Sequence, residues 1–203
     1  RSTLFPYTTL FRSTNLDFSG NDLDILDLLL TSKIDVMLVG DIRQSLLTTS
    51  RSDRKNRAYA GLGMINWFRE RDARGILRLT EGTVSWRCSQ EIIDLADRAL
   101  PKDTFLATTS EAPPASGGQH TGVWAVSRKH AVHYFTRYTP AVFRDSTRTR
   151  VPDEIHGAIN FGHCKGMTVG HSLIFPTNTM IDFLAGKSDS LAERSAEIGR
   201  AHV

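Results

Sequence analysis

The residues best placed to do chemistry stand at the end of an apolar run. Leu38 to Ser45 reads LVGDIRQS: Val36, Met37, Leu38 and Val39 follow one another, stop at Gly40-Asp41, and give way to polar Arg43, Gln44 and Ser45. Such a run fits a strand, Asp35 to Val39, buried on both faces, whose carboxyl end opens into a loop. In open parallel α/β sheets that end is where ligands sit, although a core strand followed by an ordinary turn has the same pattern. Two other stretches suit anions. Arg51, Arg54, Lys55 and Arg57 crowd the polar segment Thr48 to Ala60, with Asp53 the one acid among them. That loop is either a solvated surface or a phosphate contact giving salt-sensitive, sequence-independent affinity. Lys165-Gly166 pairs a point charge with a residue that lets backbone amides approach an anion closely.

The elements that would position these residues alternate between strand and helix. Leucines and isoleucines at helical spacing predict a helix from Asp22 to Thr31, with Asn21 or Asp22 as its N-cap, leading into the Asp35 to Val39 strand. Gly61 to Glu70 reads as a short amphipathic helix with Met64, Ile65, Trp67 and Phe68 toward a core. Leu77 to Leu79 is a strand candidate. Val84 to Leu100 reads as a helix stopped by Pro101, with Ser89 as a plausible N-cap and a buried stripe of Ile92, Ile93, Leu95, Ala96, Ala99 and Leu100. Thr108 to Thr121, rich in Pro, Gly, Ser and Thr, is a loop. Then come a strand candidate at Gly122 to Val126, a helix at Lys129 to Tyr138, strands at Ala141 to Arg144 and Ser172 to Phe175, and a helix from Met180 to Leu184. Alternation of this kind predicts an α/β parallel sheet with flanking helices.

Composition excludes little. The 203 residues are 40% hydrophobic and 23% charged, with a formal net charge of +3 and a pI near 9.0, which permits a polyanionic partner without demanding one. Cys88 and Cys164, far apart and outside any CxxC spacing, point to a reducing cytoplasm and to neither a disulfide framework nor a zinc site. His130 and His133 lie one turn apart on a helix but lack a third metal ligand nearby. Arg144, Arg148 and Arg150 form a second candidate phosphate patch. No apolar run reaches the length of a membrane span, so no membrane is expected. Both ends read as non-native: residues 1–15, including TLFPYTTLFRS, and residues 197–203, EIGRAHV, resemble translated sequencing-adapter oligonucleotides. The first is neither a signal peptide nor a persuasive strand.

Three stretches carry a resemblance. LVGDIRQS is similar to VGDxxQS, motif III of the UvrD/Rep-like superfamily 1 helicases. Ser85-Trp86-Arg87-Cys88-Ser89 is similar to NYRS, motif IV, with Trp for Tyr and Cys88 inserted before the Ser. Gly162 to Thr168 resembles HxxKGLE, motif V. The resemblance spans residues 16–196 and implies a RecA-like fold: residues 16–80 as the end of one lobe, residues 81–196 as most of a second.

It further implies that the parent protein binds ATP and Mg²⁺ between the lobes and couples hydrolysis to movement along single-stranded or partially duplex DNA. Gln44 would sense the γ-phosphate, with Gly40, Asp41 and Gly166 near the nucleotide and Ser45 and Lys165 on the DNA side. Arg87 would reach the γ-phosphate from the second lobe, where a planar, permanently charged fork stabilises the transferred group. Departures matter. Leu46 and Leu47 stand where the family carries a base-stacking aromatic, leaving Tyr59 or Trp67 as candidates. Gly162 replaces a His, and Thr168 replaces the Glu that holds the sugar. Of the Mg²⁺ motif DExxD, Asp17 alone is near a matching place. No GxxxxGK[ST] loop occurs, so the Walker A portion lies outside this sequence and the chain alone is expected to be inactive. The competing reading is a non-catalytic nucleic-acid-binding or partner-docking module on a degenerate lobe.

Overall fold

In a computed structural model, the described residues are 8–12, 18, 20–44, 55–113, 121–164 and 166–191, with 8–12 and Gln44 described by backbone alone. The chain divides into two compact units, Arg1–Thr80 and Glu81–Val203.

In the first unit, β1 (Thr8–Arg12) and β2 (Asp35–Val39) pair in parallel, Thr8 opposite Asp35 and Arg12 opposite Val39, on either side of helix α1 (Asp22–Leu30) in the chain. Parallel neighbours need such a crossover. Helix α1 has Asp22 and Asp24 in its first turn, where they meet the positive end of the helix dipole, but Asn21 caps it without a side-chain hydrogen bond. Leu23 and Leu26 are buried beneath it. Helix α2 (Met64–Ala73) buries Met64, Ile65, Trp67 and Phe68, as the apolar spacing anticipated.

One charged pair joins the two helices. The buried Arg71 guanidinium donates through Nε to Asp27 Oδ1 at 2.9 Å and through Nη2 to Oδ2 at 2.7 Å. It also lies 4.1 Å from the Trp67 ring centroid. The Asp27 hydrogen bonds outweigh burial and push the Arg71 pKa further up, so the fork stays charged.

Three expectations fail here. The strand β2 is not buried on both faces: its residues alternate exposed and half-buried, with Met37 55% and Val39 44% exposed. Among the described residues its sheet has two strands. The segment Thr8 to Arg12, which had not read as a persuasive strand, supplies its partner. Leu77 to Leu79 forms no strand; the chain around it is tied back to α2, Ile76 N donating to Arg71 O at 2.9 Å and Leu79 N to Asp72 Oδ1 at 3.1 Å.

The second unit holds two parallel sheets, β3 (Val84–Ser85) with β4 (Thr109–Ser110), and β6 (Ile159–Asn160), β5 (Ala141–Arg144) and β7 (Ser172–Phe175) in that order. Helix α4 (Arg128–Tyr138) presses Ala131 and Phe135 onto Val142, Leu173, Phe175 and Ile155. Its ends are well defined: the Ser127 side chain accepts from His130 N, and Thr139 closes it at φ 47°. Helix α5 (Asn178–Leu184) follows β7, with Thr177 accepting from Met180 N. In β7 only Leu173 and Phe175 point inward, while Ile174 is 47% exposed.

The single helix expected over Val84 to Leu100 is instead β3, a bend, and helix α3 (Gln90–Arg98), with Ser89 at the N-cap position. Thr109 N donates to Thr83 O and Glu111 N to Ser85 O, both at 2.8 Å, drawing Val84 and Ser85 into a ladder. The stripe shrinks accordingly: Ile93 alone is buried, and Ile92 is 39% exposed. Gly122 to Val126 forms no strand, with a bend at Gly122, and Trp124 is 69% exposed. Gly122 takes φ +101°, a backbone conformation that favours glycine; a Cβ there would meet the end of the exposed Glu91 side chain, which can swing aside.

Candidate functional site

The three motif-like stretches share one placement: each begins where a parallel strand ends at its carboxyl side. After β2, Gly40 and Asp41 lead into a 3-10 turn over Ile42–Gln44. The Asp41 carboxylate accepts from Arg43 N at 3.0 Å, and buried Ile42 anchors the turn. This turn puts the Gln44 backbone at the strand end; its side chain, and all of Ser45, Arg51 and Arg54, lie outside the described residues. Lys55 is engaged at 2.6 Å with Asp24. Hydrogen bonds from Lys55 and then Asn56 lower the Asp24 pKa. Asn56 also donates to Gly20 O at 2.8 Å, pinning the end of the basic segment to the start of α1.

Of the two candidates for base stacking in this unit, Trp67 does not serve, while Tyr59 is half-buried. Trp67 is fully buried beside Phe68, their rings 5.0 Å apart edge to face. Tyr59 donates its hydroxyl to Glu70 at 2.7 Å, a bond that raises its pKa.

After β3, Arg87 is exposed on the bend, its amide donating to Ser85 Oγ at 3.4 Å. Neighbouring bonds hold this bend: Trp86 Nε1 donates to Glu111 at 3.0 Å, and Ser110 Oγ to Cys88 O at 2.7 Å. Gln90 is the positioning residue that the sequence reading missed. It accepts from Ser110 N at 2.8 Å and donates to Asp94 at 2.7 Å and to Thr108 O at 3.1 Å, locking α3 to β4 just behind Arg87. The available signal was a long polar side chain directly after the Ser89 cap, at the start of a helix.

After β6, a 3-10 turn over Phe161–His163 runs into Cys164, whose thiol donates to Phe161 O at 3.0 Å. Both cysteines are free. Gly166 sits at φ +80° with open space where a Cβ would be, so the backbone conformation and not crowding asks for glycine. Lys165 lies outside the described residues. Arg144, at the end of β5, donates to Asn160 Oδ1 at 3.1 Å across the β5–β6 pair. Of its presumed companions, Arg148 is exposed, and Arg150 lends its carbonyl to Arg128 at 2.9 Å.

Among the described residues no group of three or more His, Cys, Asp and Glu is placed to hold a metal ion, and no helix is long and apolar enough to cross a membrane. Comparison with family models, with curated proteins and with solved structures gave no match. The helicase resemblance therefore rests on the three stretches themselves.

Proposed function

We propose that this chain is part of a UvrD/Rep-like superfamily 1 DNA helicase, with residues 16–80 from the end of one RecA-like lobe and residues 81–196 from the next. The observation that carries the reading is positional. Three stretches similar to consecutive motifs, in family order, each start at the carboxyl end of a parallel strand, where α/β sheets present ligand-binding loops. In this reading Gly40, Asp41 and Gly166 approach the nucleotide by backbone, Gln44 and Arg87 meet the γ-phosphate, and Ser45, Arg51, Arg54, Lys55 and Lys165 face DNA phosphates. Lys55 must then exchange Asp24 for phosphate, a modest exchange because solvent screens an exposed ion pair. Mg²⁺ does not fit what this sequence provides, since the acids of its motif are missing but for Asp17.

The phosphate cradle is missing too, so the purified 203-residue chain is expected to show no DNA-stimulated ATP hydrolysis above background in a phosphate-release assay. Turnover by this chain would contradict the division of labour proposed. The parent coding sequence should contain a GxxxxGK[ST] loop and DExxD ahead of Leu16, and its product should hydrolyse ATP in response to single-stranded DNA.

A second reading, a non-catalytic nucleic-acid-binding or docking module, is favoured by Thr168 in place of the sugar-holding Glu. A parent lacking the glycine-rich loop would select it.

A further inference from the structure

Helix α4 lies outside the three motif-like stretches in the sequence, and its permanent charges are of one sign. Its eleven residues, RKHAVHYFTRY, contain Arg128, Lys129 and Arg137 and no acid, as many permanent positive charges as the +3 net charge of the whole chain. Ala131 and Phe135 bury one side of the helix, so Lys129, His130, His133 and Arg137 fall on the other, where all four are exposed. Alongside runs a second line, His130, Tyr134 and Tyr138, at a spacing of four residues.

The tyrosines do not stand alone. Their ring centroids are 4.9 Å apart, and His171, at the entrance to β7, lies 5.8 Å from Tyr138 and 6.4 Å from Tyr134. The Tyr134 hydroxyl is 3.3 Å from His171 Nδ1, and the Arg137 guanidinium is 5.4 Å from the Tyr138 centroid. The result is an aromatic trio, each ring held by the others, bordering a stripe of cations.

We propose that this face of α4 binds a single strand of DNA, phosphates along Lys129, His133 and Arg137 and bases stacked on Tyr138 and His171. Charge complementarity selects a polyanion. The rings select one with unpaired aromatic bases over an acidic peptide, and over duplex DNA, whose bases are already stacked. Rings that are held in place before binding lose little side-chain freedom on contact. The inference goes beyond the helicase reading, since it needs neither ATP nor the motif loops. Only the choice of DNA over RNA rests on that reading.

The test is fluorescence anisotropy of labelled oligo(dT) with the full chain across a salt series. Lys129→Gln/Arg137→Gln should weaken binding about tenfold at low salt and flatten the slope of log K against log salt by about 1.4, since each phosphate contact on a single strand contributes about 0.7. Lys102→Gln/Lys187→Gln removes the same charge elsewhere in this unit and should leave the slope within about 0.3 of the unmodified chain. Tyr138→Leu should cost about fivefold or more, and Tyr138→Phe should keep the affinity, because the ring and not the hydroxyl carries the stacking. Equal losses from both glutamine pairs would overturn the proposal, as would polyphosphate displacing oligo(dT) equally well from the unmodified chain and Tyr138→Leu. Oligo(rU) binding tenfold tighter than oligo(dT) would overturn the choice of DNA. Circular dichroism showing native helix content in each variant separates these outcomes from unfolding.

Discussion

Asp27→Ala is expected to lower the stability of the first unit by about 2–3 kcal/mol. Arg71 is 10% exposed and spends both arms of its fork on Asp27, so removing the carboxylate leaves a cation between α1 and α2 with the Trp67 ring and a weak contact to Glu70. Breaking a fully buried pair costs about 3–5 kcal/mol. The lower figure applies because Asp27 is 37% exposed and water partly replaces it. The double variant Asp27→Leu/Arg71→Met should recover most of the loss, since an apolar pair of similar volume carries no desolvated charge. Urea titration followed by tryptophan fluorescence reads this directly. Trp67 is buried in this unit, while Trp86 and Trp124 are 67% and 69% exposed in the other, so the blue-shifted emission belongs to Trp67. An unchanged midpoint for Asp27→Ala would show that the pair contributes nothing.

The second large effect belongs to the proposed function. In the longer polypeptide that the proposal implies, Arg87→Ala should lower kcat for ATP hydrolysis about 10³-fold with little change in KM, because in that reading the arginine would meet charge that develops only as the γ-phosphoryl group transfers. Arg87→Lys should fail to restore it, since a point charge cannot span two equatorial oxygens as a planar fork does. The exposed position of Arg87 on the β3–α3 bend gives its side chain room to reach outward. Steady-state kinetics with and without single-stranded DNA decide the matter, and unmodified turnover in Arg87→Ala would remove the basis for the assignment.

What the sequence disclosed follows from where the information is local. Helices α1, α2, α4 and α5 were legible because residues at helical spacing lie within one or two turns of each other, although the Ser127 and Thr177 caps of α4 and α5 were not read. Strands β2, β5 and β7 were legible as short apolar runs between turn residues. The expectations that failed depend on distant partners. Val84 and Ser85 continue smoothly into a helical pattern, and only the amides of Thr109 and Glu111 make them a strand. Leu77 to Leu79 and Gly122 to Val126 have strand composition, but no neighbouring ladder receives them. The burial of β2 was misread because a run of apolar residues says nothing about how many strands lie beside it. At the candidate site, the end of β2 was visible from Gly40, whereas the two-residue strand β6 ahead of the Gly162 stretch was not read, and the role of Gln90 depends on three bonds to residues 94, 108 and 110.

The narrowness of the β1–β2 ribbon reaches beyond the single molecule. Among the described residues β2 is paired along one edge, and Met37 and Val39 stand open to solvent on it. Such a margin invites a neighbouring copy to zip alongside, so the soluble range of this chain should narrow as it is concentrated. A single lysine at Met37 would act as a gatekeeper, charging the ribbon so that crowded copies repel before they stack.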